Sequence, residues 1–247
     1  GILNFNTVGS ITGGDLNAGT TLDLNGGSVA IGNASAATIL IASASDIVFD
    51  SLAALNAINL SAVNGIIAGN TAAGDLDSDG DIDLSALAIS LGNVTSGGSV
   101  TADATAGNAS FGIVAAANDI TISTTGTPTL ANAISGGSTS ITGTSVSFAN
   151  GTIGGDLSLT ATAGDINSIG TASVAGGIAL TASGNIGFGS LTAGGGDFTA
   201  DAGGAIAFTD AAASGILNFN TVGSITGGDL NAGGIVLSSG DIISVPQ

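Results

Sequence analysis

The chain has 247 residues and a formal net charge of -18, because its 18 acidic residues, all Asp, are joined by no Lys, Arg or His. Binding to nucleic acid needs basic side chains that neutralise phosphates, so no nucleic-acid partner is expected, and an anionic membrane surface is disfavoured for the same reason. The absence of Cys excludes disulfides and thiolate chemistry.

The apolar fraction of 44% predicts a folded chain, since disordered acidic segments contain far fewer apolar residues. No apolar run reaches the ~18 residues of a membrane-spanning segment, so we predict no membrane insertion. The chain opens at Gly1 with neither Met nor a basic region, and we therefore expect a mature segment or an excerpt of a longer protein.

A repeat opens the chain: GILNFNTVGSITGGDLNAG at 1–19 recurs unchanged at 215–233, an offset of 214 residues. A shorter period lies beneath it, because apolar residues recur at steps of 16 to 24 residues. This first apolar column contains Phe5, Leu24, Ile41, Leu60, Leu84, Val100, Ile120, Ile141, Leu159, Leu180, Phe198, Phe219 and Leu237. A second apolar column contains Ile166, Ile186, Ile206, Ile225 and Ile242. Eleven short steps span the 214 residues, which predicts about 13 coils of about 19.5 residues.

Within each coil, the local pattern is that of a β-strand. Apolar and small polar residues alternate through 157–162 and 178–183, and Gly, Asn, Asp and Ser separate such runs. A β-sandwich would also alternate, but a near-constant spacing favours a solenoid, in which each coil stacks its apolar residues on those of the previous coil. We predict an all-β, parallel β-solenoid (a β-helix) with right-handed coils, forming a single domain over 1–247.

An Asp-rich segment, GDLDSDGDID at 74–83, coincides with the longest step of the first apolar column. We predict a loop inserted into one coil here. Its alternating Asp residues, with Gly80 at the sixth position, match the D-x-D-x-D-G pattern of oxygen-rich loops that bind Ca²⁺. The candidate metal ligands are Asp75, Asp77, Asp79, Asp81 and Asp83.

Residues 74–93 also resemble one half-repeat of a dockerin. That resemblance implies carboxylate ligands at the first three of these Asp residues, a carbonyl ligand at the fourth and a water-bridged ligand at the fifth. The twelfth position is Ala86, where the family has an acidic bidentate ligand, and no second loop pairs with this one. We expect weak calcium binding; the alternative is a polar hairpin that uses Asp as a turn residue.

The coils resemble those of filamentous-haemagglutinin-type exoproteins and related giant bacterial adhesins. The stretches that carry the resemblance are GGDLSLTATAGDINSIG, GGIALTASGNIGFGSLTAGG and GGDFTADAGGAIAFTD, and it is clearest over 95–243. The resemblance implies an extracellular β-helical stalk at a bacterial cell surface, with adhesive activity and a host-surface or glycan receptor.

Two further sets of polar residues recur along the chain. The Asp residues that mostly precede Ile or Leu are expected to cap their own turns through neighbouring backbone amides: Asp15, Asp46, Asp119, Asp156, Asp165, Asp229 and Asp241. Six Thr residues are expected to form one outward ladder: Thr101, Thr121, Thr142, Thr160, Thr181 and Thr199. Such arrays resemble the ice-facing surface of antifreeze solenoids, but outward Thr ladders also follow from the repeat alone.

We expect no enzyme. Paired Asp residues can act on a polysaccharide, but this chain has no Lys, Arg, His or Tyr to bind the substrate or stabilise an oxyanion. The sequence predicts instead a secreted or cell-surface structural or adhesive stalk segment without an organic cofactor. The alternative is a self-assembling extracellular filament or sheath subunit; ice binding and polysaccharide binding are minor alternatives. Neither end has an atypical cap, so we expect end-to-end self-association or continuation in a longer chain.

Overall fold

A computed structural model describes residues 1–68 and 76–246, and every regular element in these ranges is a β-strand. The strands form a parallel β-solenoid of about 12 turns of about 19 residues, which confirms the predicted fold class. The chain divides into two compact units, Gly1–Thr125 and Gly126–Gln247, and each is described by itself below. The handedness of the coils and the single domain stay predictions.

The strands of the first unit are β1 Ile2–Asn6, β2 Ser10–Thr12, β3 Leu16–Asn17, β4 Thr21–Gly26, β5 Ser28–Ala30, β6 Asn33–Ser43, β7 Ile47–Phe49, β8 Ser51–Ala62, β9 Gly65–Ala68, β10 Leu76–Ser78, β11 Ile82–Ala86, β12 Ala88–Leu91, β13 Val94–Ser96, β14 Val100–Ala104, β15 Ala109–Ala116 and β16 Ile120–Thr124. Those of the second unit are β17 Pro128–Ser135, β18 Thr139–Gly143, β19 Val146–Ile153, β20 Leu157–Ala161, β21 Ile166–Val174, β22 Ile178–Ala182, β23 Ile186–Ala193, β24 Phe198–Ala202, β25 Ile206–Ala213, β26 Ile216–Thr221, β27 Ile225–Asn231, β28 Gly234–Ser239 and β29 Ile243–Ser244.

A coil contains three straight segments separated by turns. The first coil has them as the separate strands β1, β2 and β3, which pair in parallel with β4, β5 and β6 of the next coil. In the second unit, two of the three segments form one continuous strand. In β21 they meet at the irregularity between Ser168 and Thr171, where the pairing with β23 shifts register. Alternation with period two then places one set of side chains inside every coil.

The second apolar column is confirmed over four coils. Ile166, Ile186, Ile206 and Ile225 are register partners in succession, and each is fully buried. The next partner is Ile243, not the predicted Ile242, and both side chains are exposed. Each Ile packs on the Ile of the neighbouring coil, and the stacked side chains exclude water from the interior of the solenoid.

The first apolar column is correct as far as Leu84 and then slips by two residues. Leu84 pairs with Ala102, and Val100 pairs instead with Ile82. The same slip occurs at Phe198, because the partner of Leu180 is Ala200. Residues two apart on a strand both face the interior, so the apolar pattern alone does not distinguish Val100 from Ala102 or Phe198 from Ala200 as the column member.

The extra length of the longest coil lies between Ala68 and Leu76. Phe49 pairs with Ala68 and Leu52 pairs with Leu76, so a separation of three residues in one coil becomes eight in the next. Five extra residues therefore fall between Ala68 and Leu76. The prediction of an inserted loop at 74–83 is wrong for residues 76–83, because they lie within strands and turns of the coil itself.

Buried hydroxyl groups hold several turns against the previous coil. Ser96 Oγ lies 2.7 Å from the carbonyl oxygen of Gly80 and accepts a hydrogen bond from Gly98 N at 3.1 Å. Ser43 and Thr221 occupy the same kind of turn, and their hydroxyls accept from the amides two residues later. A small hydroxyl residue at the end of a strand thus satisfies backbone groups of two coils at once.

Candidate functional site

The described Asp residues of the predicted calcium loop lie along an ordinary coil. Asp77 in β10 is exposed and is the register partner of Thr95. Asp83 in β11 is exposed and is the register partner of Thr101. Both point outward because their strand neighbours fill the interior. Asp75 lies outside the described residues.

The turn between β10 and β11 matches the turn of the next coil. Ser78 is the register partner of Ser96, is 2% exposed, and accepts a hydrogen bond from Gly80 N at 3.2 Å. The Asp81 carboxylate accepts a hydrogen bond from Ser99 N of the next coil at 2.7 Å. The Asp81 carbonyl oxygen, the predicted calcium ligand, accepts from Ile58 N of the previous coil at 3.1 Å. Asp81 therefore joins three coils.

The described residues of this segment do not gather their carboxylates into a metal-binding cluster. Ala86, at the position where the calcium motif has a bidentate acid, is buried in the core. No group of three or more Asp residues that could hold a metal ion occurs among the described residues. Asp77 and Asp79 do line one open groove of about 420 Å³, beside the exposed Leu55. Calcium binding at this segment stays a prediction.

Four of the Asp residues that the sequence predicted to cap their own turns instead accept hydrogen bonds from the next coil: Asp15, Asp46, Asp156 and Asp165. Asp165 Oδ1 accepts hydrogen bonds from Asn185 N at 2.6 Å and Asn185 Nδ2 at 3.2 Å, and Asn185 Oδ1 accepts from Ala205 N at 2.8 Å. Asp15, Asp46 and Asp156 make the same bond to amides 18 to 21 residues later. The reason is geometric, since parallel coils stack about 4.8 Å apart and bring that amide within reach of the carboxylate.

The predicted Thr ladder is confirmed in part. Thr101 pairs with Thr121 in the first unit, and Thr142, Thr160 and Thr181 are successive partners in the second. The ladder ends there, because Thr181 pairs with Asp201. Thr199 is therefore placed wrongly, through the same slip of two residues that affects the apolar column.

A wider polar array covers this face of the first unit. We call it the outer ladder, and its register partners are Asn4, Asp23, Leu40, Asn59, Asp83, Thr101 and Thr121. Six of the seven side chains can form hydrogen bonds. The members are one coil apart, so these groups repeat at about 4.8 Å.

The sequence did not reveal an apolar hollow on the first coil. It has a volume of about 330 Å³, and Phe5, Ile11, Leu16 and Ile31 contribute its apolar lining. Phe5 is 45% exposed, whereas Phe219, at the same position of the repeated sequence, is fully buried. Identical residues give identical patterns, so only the neighbouring coil distinguishes the two sites.

Among the described residues, no helix has the length and apolar character needed to cross a membrane. The parallel β-solenoid fold is consistent with that of β-helical repeat proteins, which the coils resemble in sequence. No family model, no curated protein and no solved structure matches this chain.

Proposed function

We propose that the chain is a segment of a secreted, bacterial cell-surface β-solenoid stalk with a structural or adhesive role and no catalytic activity. The observation that carries this proposal is the outer ladder on an apolar stack. Six of the seven ladder positions carry Asn, Asp or Thr at the same place on successive coils, and from the second coil onward the neighbouring column residues Leu24, Ile41 and Leu60 are buried. The fold is compatible with this role, and the location at the cell surface rests on the resemblance of the coils to giant adhesins.

A repeating receptor is the partner that such a ladder fits best. Hydroxyl, amide and carboxylate groups one coil apart offer many weak hydrogen bonds to the hydroxyls of a polysaccharide. Each bond contributes little alone, but simultaneous bonds along one surface add avidity. The charge of -18 keeps such a surface hydrated and disfavours acidic polysaccharides. We therefore propose a neutral or basic surface glycan as the receptor class.

Bead adhesion tests the proposal. Beads coated with the full chain are passed over immobilised neutral, basic and acidic polysaccharides, and we expect retention on the first two. Replacing Asn59, Thr101 and Thr121 by Ala should reduce retention, because it removes three hydrogen-bonding groups from the outer ladder. The matched control replaces Ser90 and Ser110, exposed register partners on another face of the same unit, and should leave retention unchanged. Retention no higher than that of albumin-coated beads would exclude adhesion through this chain.

A filament subunit that stacks end to end is the second candidate. The observation in its favour is that inward-facing apolar side chains are exposed in both the first and the last coil, including Phe5 in β1 and Ile235 in β28, the register partner of the buried Leu217. Sedimentation velocity over a hundredfold concentration range separates the two roles. A stalk segment stays monomeric, whereas a filament subunit forms a growing series of species whose proportion falls when Phe5 is replaced by Ser.

A further inference from the structure

One 19-residue sequence occurs twice in this molecule, in two environments. At 1–19 it forms three short strands of 5, 3 and 2 residues. At 215–233 the same residues form two longer strands, β26 with 6 residues and β27 with 7. Phe5 is 45% exposed and Phe219 is fully buried. The second copy therefore shows what the first copy looks like when a coil covers it.

The covering coil, residues 196–214, contributes two phenylalanine rings. The Phe219 ring centroid lies 5.1 Å from that of Phe198 and 5.5 Å from that of Phe208, both with the rings inclined at 72°. Edge-to-face contacts at such distances stabilise a packed interface beyond the burial of apolar area. Phe198 and Phe208 lie in β24 and β25, which pair with β26 and β27.

A pair of equivalent glycines shows where the second ring fits. A Cβ atom on Gly227 would collide with the ring of Phe208, so this ring occupies the space above Gly227. At Gly13, the equivalent residue of the first copy, a Cβ would meet only Leu16 Cδ2 at 3.9 Å. Gly13 lines the hollow of about 330 Å³ on the first coil. The hollow on the first coil therefore corresponds to the space that the Phe208 ring occupies beside residues 215–233.

Polar groups match at the same interface. Asp197 Oδ1 accepts a hydrogen bond from Ile216 N at 2.8 Å, and Asp201 Oδ1 accepts from Asn220 Nδ2 at 3.1 Å. The equivalent donors in the first copy are the Ile2 amide and the Asn6 side chain. A coil that covers 1–19 in the same way must therefore carry two acceptors as well as two aromatic rings.

We propose that the uncovered face of residues 1–19 docks a coil with the sequence of residues 196–214, supplied by another copy of the 214-residue unit in the same polypeptide. The inference rests on the proposal that the chain is a segment of a longer repeat protein. The solenoid itself specifies the partner, since the recognition elements are two aromatic rings and two carboxylates on one coil. The uncovered face of residues 1–19 then binds only a coil that carries these groups. Once it is bound, residues 1–19 and 215–233 have the same neighbours.

The test adds residues 196–214 directly before Gly1 of the full chain. A matched extension has Ser in place of both phenylalanines and keeps both carboxylates. We expect amide hydrogen exchange over residues 2–12 to slow by at least tenfold with the natural extension and much less with the Ser extension. Equal exchange with the two extensions would overturn the proposal, and so would concentration-dependent burial of Phe5 in the unextended chain, which would identify a second chain as the occupant.

A glycine substitution gives a second measurement that does not depend on exchange. Gly13→Ala should leave the melting temperature of the unextended chain unchanged or slightly raised, since its Cβ has space and no described residue has a positive φ. In the extended chain, Gly13→Ala should lower the melting temperature, as Gly227→Ala should in both chains. A Gly13→Ala effect that is the same with and without the extension contradicts docking. Bead adhesion does not involve this face, so failure here and failure of the proposed function are distinguishable.

Discussion

At the scale of single residues, the acidic side chains of this cation-free chain act as hydrogen-bond acceptors between coils. Asp165, Asn185 and Ala205 form a continuous series in which each side-chain oxygen binds the backbone amide of the following coil. Asp serves this purpose because its short side chain reaches an amide about 4.8 Å along the stack. The turn hydroxyl of Ser96 links coils in the opposite direction, by donating a hydrogen bond to the carbonyl oxygen of Gly80 in the previous coil.

The first prediction distinguishes the acceptor role of Asp165 from its charge. Asp165→Ala removes the acceptor for two donors of Asn185 and should lower the free energy of unfolding by about 1–2 kcal/mol. Asp165→Asn retains a carbonyl oxygen and should lose less than half as much. Urea denaturation at physiological salt measures both. Equal losses would show that the negative charge, and not the hydrogen bond, is what matters at this corner.

At the scale of the element, burial depends on the neighbouring coil and not on the strand's own sequence. The second prediction compares two equivalent phenylalanines within one molecule. Phe219→Ala should destabilise the chain by about 3–5 kcal/mol, because Phe219 is fully buried among aromatic rings. Phe5→Ala should cost much less, since Phe5 is 45% exposed. Thermal or urea unfolding of the two variants gives the comparison, and similar losses would contradict the burial difference.

The third prediction concerns the element formed by the Asp-rich segment. If calcium binds there weakly, adding calcium should raise the free energy of unfolding by about 0.4 kcal/mol when its concentration equals the Kd and by about 1.4 kcal/mol at a tenfold excess. The melting temperature should rise accordingly. Converting Asp77 and Asp79 to Asn should abolish that gain, whereas Asp201→Asn, in the second unit, should not. Sodium chloride at equal ionic strength controls for screening. An unchanged melting temperature in the parent chain would leave the segment as an ordinary coil turn.

The sequence predicted the strands, the coil length and the second apolar column because period-two alternation and a 19-residue spacing are visible in the residues themselves. It placed Val100, Ile120 and Phe198 in the wrong column because residues two apart are equally apolar and equally buried. It also predicts a calcium ligand at Asp81, which stays a prediction, but it does not reveal that the carboxylate and carbonyl of Asp81 accept hydrogen bonds from backbone amides of two other coils. Local pattern does not predict which residues of neighbouring coils contact each other. That register depends on the exact length of each coil, and one coil has five extra residues between Ala68 and Leu76.

At the scale of the whole molecule, the net charge of -18 makes repulsion between carboxylates an unfavourable contribution to the free energy of folding. The chain has 18 Asp residues and no Lys, Arg or His, and some carboxylates face each other, as do those of the register partners Asp210 and Asp229. Like charges directly opposite on neighbouring strands are destabilising. Folding brings such carboxylates closer than they are in the unfolded chain, so their repulsion opposes the folded state.

The fourth prediction follows from that repulsion. Raising sodium chloride from about 10 to 150 mM shortens the Debye length from about 30 to 8 Å. We expect the melting temperature to rise, by about 2–4 °C for each 1 kcal/mol of repulsion relieved. Differential scanning calorimetry across the salt series measures the change. A melting temperature that falls with salt would mean that favourable ion interactions, absent from this account, hold the fold together.

The register of the stacked coils is the central claim, and disulfide trapping tests it most directly in a chain that has no cysteine of its own. Thr181 and Asp201 are register partners, so their Cα atoms lie about 4.8 Å apart, within the range that a disulfide can bridge. Thr199 is two residues away along the same strand, roughly 8 Å from Thr181 and beyond that range. We expect Thr181→Cys with Asp201→Cys to form an intramolecular disulfide under mild oxidation, and Thr181→Cys with Thr199→Cys to remain reduced. Crosslinking of the second pair in preference to the first would contradict the register and, with it, the stacking of the coils.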